Sequence, residues 1–185
     1  MENRIFVTCP RGLEEVTSEE LSLLLNKKNT INHGGVHLDG DILDTYKINL
    51  ASRTAMHVLQ EIMDVRSNNL NELYTLIKSY KWSSLITKDE TFSIRTKANS
   101  SIFKNSNIVT LKIKDAIVDR IRLDTQSRPS IDKDNPTYQI FVNIKDDKVK
   151  LYLNTSGDPL YIRGYRTRVH RAAINPCLAA GLIML

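Results

Sequence analysis

Between Thr91 and Leu153 the alternation of apolar and polar positions changes period twice. Phe92, Ile94 and Thr96 alternate with Ser93, Arg95 and Lys97, the two-residue period of a half-buried strand. From Ile108 to Leu123, Val109, Ile113, Ala116, Ile117 and Ile121 recur at helical spacing, while Lys112, Asp115, Asp119 and Arg122 lie off that stripe. That pattern predicts a helix with one face laid on a sheet. Period two returns at Tyr138, Ile140, Val142 and Ile144 and, beyond a charged turn at Asp146 and Asp147, at Val149, Leu151 and Leu153, which predicts a hairpin. The unit reads strand, helix, strand, strand. Its crossover is long enough for the first two strands to pair in parallel with a right-handed connection, the last strand adding antiparallel.

The same reading applied upstream gives a small mixed α/β subdomain to about Ile62. Arg4 to Thr8 reads as a strand, and Pro10, Arg11 and Gly12 break it. A helix follows with Leu13, Val16, Leu21, Leu24 and Leu25 on its apolar side. Glu14, Glu15, Glu19 and Glu20 fall early in it, where the helix dipole favours carboxylates. Asn26 to Thr30 ends the helix. Val36 and Leu38 suggest a brief strand, Asp41 caps a helix from Ile42 to Leu50, and Met56 to Ile62 alternates as another strand. Leu70, Leu73, Ile77 and Tyr80 then fit one helical stripe, with Trp82 after its end as a core anchor. Lys104 falls in a polar loop before the long helix, which Asn105 or Ser106 caps, and Thr125 to Pro136 reads as a connection carrying Arg128.

Composition narrows the classes without choosing among them. A chain of 185 residues with 41% hydrophobic and 25% charged residues can bury a real core in one domain or two small ones. No apolar run is long enough to span a bilayer and Met1 to Pro10 carries no signal-peptide pattern, which points to the cytoplasm. Cys9 and Cys177 lie far apart without metal-ligand spacing and read as reduced bystanders. His33 and His37 flank Gly34-Gly35 but lack a Cys, Asp or Glu to complete a metal set, and no phosphate loop or hydrolase motif surrounds them. Asp115 and Asp119 are explained by pairing with Lys112 and Arg122 rather than by acid-base chemistry.

The net charge of +5 suggests a polyanionic partner. It is concentrated late. From Leu160 to Arg171 the chain carries Arg163, Arg166, Arg168 and Arg171 with Tyr161, Tyr165 and His170 interleaved, and no acid follows Asp158. Arginine alternating with tyrosine supplies phosphate-directed forks and stacking planes together. The apolar stretch Ala172 to Leu185 then predicts a helix that packs on something outside the chain.

Specific groups of residues resemble the N-terminal half of bacterial THUMP-domain methyltransferases that modify guanine N2 in large-subunit ribosomal RNA. They are Leu43-Asp44-Thr45-Tyr46-Lys47 with Arg53-Thr54-Ala55, Leu73-Tyr74 leading to Trp82, and Leu111 to Asp119. Further on come Arg128-Pro129-Ser130, Leu153-Asn154-Thr155-Ser156-Gly157 and Arg163-Gly164-Tyr165-Arg166, the last being the most specific. Asn154 stands where the family commonly has aspartate. The resemblance implies a mixed α/β, α+β fold: a ferredoxin-like subdomain over residues 1–62, a THUMP RNA-binding domain over 63–157, and over 158–185 a basic linker entering a methyltransferase domain that is missing. The family's cofactor loop and asparagine-proline-proline-aromatic motif would lie downstream, and Asn175-Pro176, followed by Cys177 and Leu178, lacks that pattern.

The expectation is therefore the RNA-recognition portion of an S-adenosylmethionine-dependent ribosomal RNA guanine-N2 methyltransferase. It carries no catalytic residue, metal or cofactor of its own and is inactive alone, with structured RNA and the missing domain as partners. Lys97, Lys104, Lys112, Arg128, Arg163, Arg166, Arg168 and Arg171 are the expected phosphate contacts and Tyr165 a stacking or positioning residue. For Arg163 and Tyr165 a structural bridge to the missing domain is equally open. The alternatives are an enzyme of unfamiliar type, a stand-alone RNA-binding protein, or an interaction module whose apolar tail docks a separate catalytic subunit.

Overall fold

The computed structural model describes residues 3–87, 89–164, 166, 170 and 172–185. Its contacts divide the chain into two compact units: one runs to Glu61 and resumes at Asn154, and the other spans Ile62–Leu153.

In the first unit, β1 (Asn3–Thr8), β2 (Asn29–Asn32), β3 (Gly35–Gly40) and the opening of β4 (His57–Arg66) form an antiparallel sheet in the order β2-β3-β1-β4. Helices α1 (Glu14–Leu25) and α2 (Ile42–Ala51) accompany it. Ile5, Val7, Leu21, Val36, Leu38, Ile48, Ala55 and Val58 make the core. Asp41 caps α2 as its position predicts: its Oδ1 accepts from the Asp44 amide at 2.9 Å while the Asp44 carboxylate accepts from the Asp41 amide at 2.9 Å. Strand β2 was not expected. It lies where the helix was predicted simply to end, and its residues are mostly exposed at a sheet edge. Gly35 permits the close pairing of β3 with β1, because a Cβ there would run into the Val7 carbonyl oxygen.

The chain from Asn154 onward returns to this unit. The Thr155 amide donates to Val58 and the Leu160 amide to Met56, and α5 (Pro176–Met184) closes the unit. Gly181 is pressed against Leu13, and the Cys177 thiol donates to the Ala55 carbonyl at 3.1 Å. The tail therefore packs in part on its own unit, although Leu182, Ile183 and Leu185 stay exposed. Burial pushes the Cys177 thiol up to about 11, consistent with a cysteine that stays protonated.

In the second unit, β4 from Ile62 on, β5 (Thr91–Asn99), β6 (Ser130–Ile131), β7 (Tyr138–Lys145) and β8 (Lys148–Asn154) form a mixed sheet in the order β4-β8-β7-β5-β6. Strands β5 and β7 pair in parallel over their length, as the crossover predicts. One face of the sheet carries α3 (Leu70–Ser79) and α4 (Ser106–Thr125) over a core built from Leu73, Ile77, Phe92, Ile113, Ile117, Ile121, Ile140, Val142 and Leu151. Asn105 caps α4, accepting from the amides of Asn107 and Ile108. Trp82 is fully buried in this core and its indole N–H donates to the Ile77 carbonyl at 2.7 Å, so the anchor has a partner for its one polar atom. The short β6 falls inside the predicted connection and pairs parallel to β5.

Candidate nucleic-acid interface

The cations expected to meet phosphate separate into three groups. On the helix side of the second unit, Lys112 of α4 and Arg128 in the following loop line one open cleft of about 430 Å³ with Tyr74, Asp115, Val118, Asp119 and Arg122. A neighbouring cleft of about 450 Å³ adds Lys78 and Gln126. The Tyr74 ring organises both. Lys112 Nζ stands 4.9 Å from its centre and Lys78 Nζ 5.2 Å, and the phenol donates to Asp119 at 2.6 Å while accepting from Lys78 at 3.2 Å. Cation–π contacts of this kind hold an ammonium in place at little desolvation cost. The expected pairing of Asp115 with Lys112 and Asp119 with Arg122 is not what forms. Asp119 takes the Tyr74 hydroxyl, and Asp115 pairs with Lys114 at 2.8 Å, which leaves Arg122 and Arg128 exposed at the rim. Arg122, Lys78 and Tyr74 were absent from the expected phosphate contacts. Their helical spacing on α3 and α4 carried the signal, but which two helices face each other is a property of the fold.

Lys97 and Lys104 lie elsewhere. Lys97 is exposed on the sheet face opposite the helices, and Lys104 is exposed in the loop before α4.

The third group belongs to the first unit, and its two described members, Arg163 and Arg166, are bonded to backbone carbonyls. Arg163 reaches the C-terminal end of α2: its terminal nitrogens donate to the carbonyls of Leu50 at 3.1 Å, Asn49 at 2.9 Å and Ser52 at 3.1 Å. Those carbonyls are the ones a helix end leaves without intrahelical partners, and a cation there also favours the dipole. This contact lies within its own unit and differs from both roles left open for Arg163, phosphate contact and bridge to a missing domain. Arg166 donates to the Ile174 carbonyl at 2.7 Å. Tyr165, Arg168 and Arg171 lie outside the described residues.

The preceding turn is equally structural. Ser156 Oγ accepts from the Val58 amide at 2.8 Å and donates to Asn49 at 2.7 Å, while Thr155 Oγ1 donates to the Val58 carbonyl at 2.8 Å. Asn154 accepts from the Ser156 amide at 3.1 Å and donates its own amide to the Gly157 carbonyl at 2.6 Å. An ionised aspartate could not make that second bond, so the amide found here has a local reason.

Glu20 was expected to serve the dipole of α1. It is instead buried, 6% exposed, and accepts from the hydroxyls of Ser52 and Thr54, the amides of Arg53 and Thr54, and Arg53 Nε at 2.6 to 3.1 Å. Burial alone would raise its pKa. The hydrogen bonds from Thr54, Arg53 and Ser52 together outweigh that and hold the carboxyl below its usual range. His37 stacks on Phe6 at 4.4 Å, and no group of three potential metal ligands occurs among the described residues.

A third cleft, of about 270 Å³, is lined by Leu50, Ser52, Leu160, Tyr161, Arg163 and Ala180, among others. None of the three clefts is lined by a glycine turn or an apolar slot sized for a nucleoside, so they do not fit S-adenosylmethionine.

Two domain families match the chain: the RlmL ferredoxin-like domain over residues 4–59 and the THUMP domain over residues 67–154. Ribosomal RNA large subunit methyltransferase K/L of Psychrobacter arcticus is 34% identical over 97% of this chain, and that alignment covers 24% of the relative. The chain thus spans about a quarter of the curated relatives it matches. Among solved structures, a protein of Listeria monocytogenes described as a predicted N6-adenine-specific DNA methylase superposes over 100% of this chain and 48% of its own, with TM-score 0.89 and 25% identity. SMU.472, solved complexed with SAH, superposes over 99% of this chain and 48% of its own with TM-score 0.87 and 24% identity, a likeness of fold.

Proposed function

We propose, for a chain that belongs to the THUMP-domain proteins and carries an RlmL ferredoxin-like domain ahead of its THUMP domain, that it grips structured large-subunit ribosomal RNA for a methyl transfer to guanine N2 performed elsewhere in a longer protein. Supporting this is one observation above others: the THUMP stretch assembles Lys78, Lys112, Arg122 and Arg128 around Tyr74 from two helices and a loop that are far apart in sequence. Cations gathered on an open cleft suit a backbone, which can be approached from outside, and not a small molecule, which needs enclosure.

Methylating an exocyclic amine in structured RNA requires the base to leave its stack, so the enzyme needs a hold on the surrounding RNA that does not depend on the reacting base. That hold reads shape and phosphates, because the A-form major groove is too narrow for side chains. S-adenosylmethionine supplies the methyl group in this reading, and no residue here is assigned to it. A cytoplasmic location goes with the reaction; no helix among the described residues is long and apolar enough to cross a membrane. The exposed Leu182, Ile183 and Leu185 of the α5 end favour a second reading, in which the same chain also docks a catalytic partner.

The test is binding of a labelled ribosomal hairpin by fluorescence anisotropy across a salt titration. Replacing Lys112, Arg122 and Arg128 together with alanine lowers the log-log salt slope by about 2, at roughly 0.7 to 0.9 per phosphate contact. An unchanged slope removes the cleft from the footprint.

A further inference from the structure

We propose that Asp119 reads the 2′-hydroxyl of a ribose held at the helix-side clefts, so that the site tells RNA from a backbone of the same shape and charge; the inference rests on the RNA-binding reading above. Asp119 lines both clefts, as does Arg122, while Lys112 and Arg128 line only one and Lys78 only the other. A half-buried carboxylate therefore stands on the wall between two groups of cations. It does not neutralise them by contact. Among the described residues Asp119 forms no ion pair with Lys78, Lys112, Arg122 or Arg128. Its side chain is held instead by the Tyr74 hydroxyl, which donates to Oδ2 at 2.6 Å. That leaves Oδ1 without a partner among the described residues.

A hydroxyl bond of that length to a carboxylate is charge-assisted, and it fixes the direction of the acid. The neighbouring Asp115 differs, being exposed and turned to Lys114 at 2.8 Å. A fixed carboxylate among phosphate-binding cations repels any phosphate set before it. It accepts hydrogen bonds and cannot donate one, so it needs a donor from the nucleic acid. The phosphate and ring oxygens of the backbone only accept. The 2′-hydroxyl is the backbone's one donor, present at every sugar of RNA and at none of DNA. An A-form helix displays these hydroxyls along its wide minor groove, each between successive phosphates of its strand. Cations on either side of Asp119 match that order of phosphate, hydroxyl, phosphate. Tyr74 is the positioning residue here: its hydroxyl aims the acid while its ring faces Lys112 and Lys78.

The experiment compares the labelled ribosomal hairpin with a copy in which fluorine replaces every 2′-hydroxyl, using the full chain at one salt concentration. Fluorine keeps the A-form, the phosphates and the base amines and removes the donor. The parent binds the hydroxyl form about tenfold more tightly, as one hydrogen bond to a charged acceptor provides. Asp119→Asn keeps an oxygen for Tyr74 and puts an amide donor in place of the free acceptor, so it brings the two affinities within about twofold. Tyr74→Phe keeps the ring and narrows the ratio part of the way. Circular dichroism melts of both variants match the parent. Equal affinity of the parent for the two hairpins overturns the assignment and leaves the cleft intact, since salt-dependent binding persists. A preference that survives Asp119→Asn overturns it too, because the hydroxyl is then read by another group. A parent chain that binds neither hairpin removes this inference and the proposed function together.

Discussion

Glu20 and Lys97 show how differently the two units spend their charges. In the first unit Glu20 is closed over by donors from Ser52, Arg53 and Thr54, Asp44 both completes the cap of α2 and pairs with Lys27 at 2.7 Å, and Arg163 is turned onto the α2 carbonyls. In the second unit Arg95, Lys97, Lys104, Arg122 and Arg128 all project into solvent. Charge held inward fixes a loop to a helix; charge left outward, unpaired and near aromatic rings, is available to a polyanion. The arginine-rich stretch that is most basic in sequence is, where described, partly committed to structure, whereas the cleft proposed to bind RNA lies on the less conspicuous unit.

The comparison breaks most sharply at Glu20. Glu20→Ala leaves its donors buried without an acceptor and costs about 3 kcal/mol or more in urea unfolding; a loss below about 1 kcal/mol would show that the carboxylate is not a structural hub. The acid limb carries the same information. Because the folded-state pKa of Glu20 is held below its ordinary 4.5, its contribution is complete above that pH and is lost as pH falls through the lower folded value, so Glu20→Ala flattens the acid limb of a stability profile.

Next in size is the cleft. The Lys112, Arg122 and Arg128 triple to alanine weakens binding of a ribosomal hairpin by about 1 to 2 kcal/mol at low salt, with thermal stability within about 0.5 kcal/mol of the parent. A melting point that drops while binding holds would place these cations with the inward group. Arg163→Ala is the counterpart: half-exposed capping bonds to carbonyls are worth about 1 kcal/mol, so stability falls modestly while the salt slope stays put. A slope that falls with Arg163→Ala would return that residue to the RNA contacts. Asn105→Ala, removing the cap of α4, costs about 1 kcal/mol and leaves the slope unchanged.

Legibility follows locality. The alternation in β5 and β7 and the stripe of α4 were readable because both faces of each element are decided by its own residues. Asp41 and Asn105 were readable as caps for the same reason, their partners lying within three residues. Strand β2, Asn29–Asn32, was not, since an edge strand with mostly exposed side chains shows no apolar period. Glu20 and Arg163 were misplaced or left open because their partners lie more than 30 and more than 110 positions away. Of the expected phosphate contacts, Lys112 and Arg128 meet in one cleft, but Tyr74 and Lys78, which complete its wall and its neighbour, come from another helix whose placement only the fold supplies.

In the function proposed here, outward-facing cations of the second unit hold RNA. The most direct test is the affinity of the full chain for a large-subunit ribosomal hairpin as salt is raised. The prediction is a log-log slope of magnitude at least about 2, from Lys112, Arg122 and Arg128 of the cleft at roughly 0.7 or more each. A slope near zero, or no binding even in dilute buffer, would contradict it.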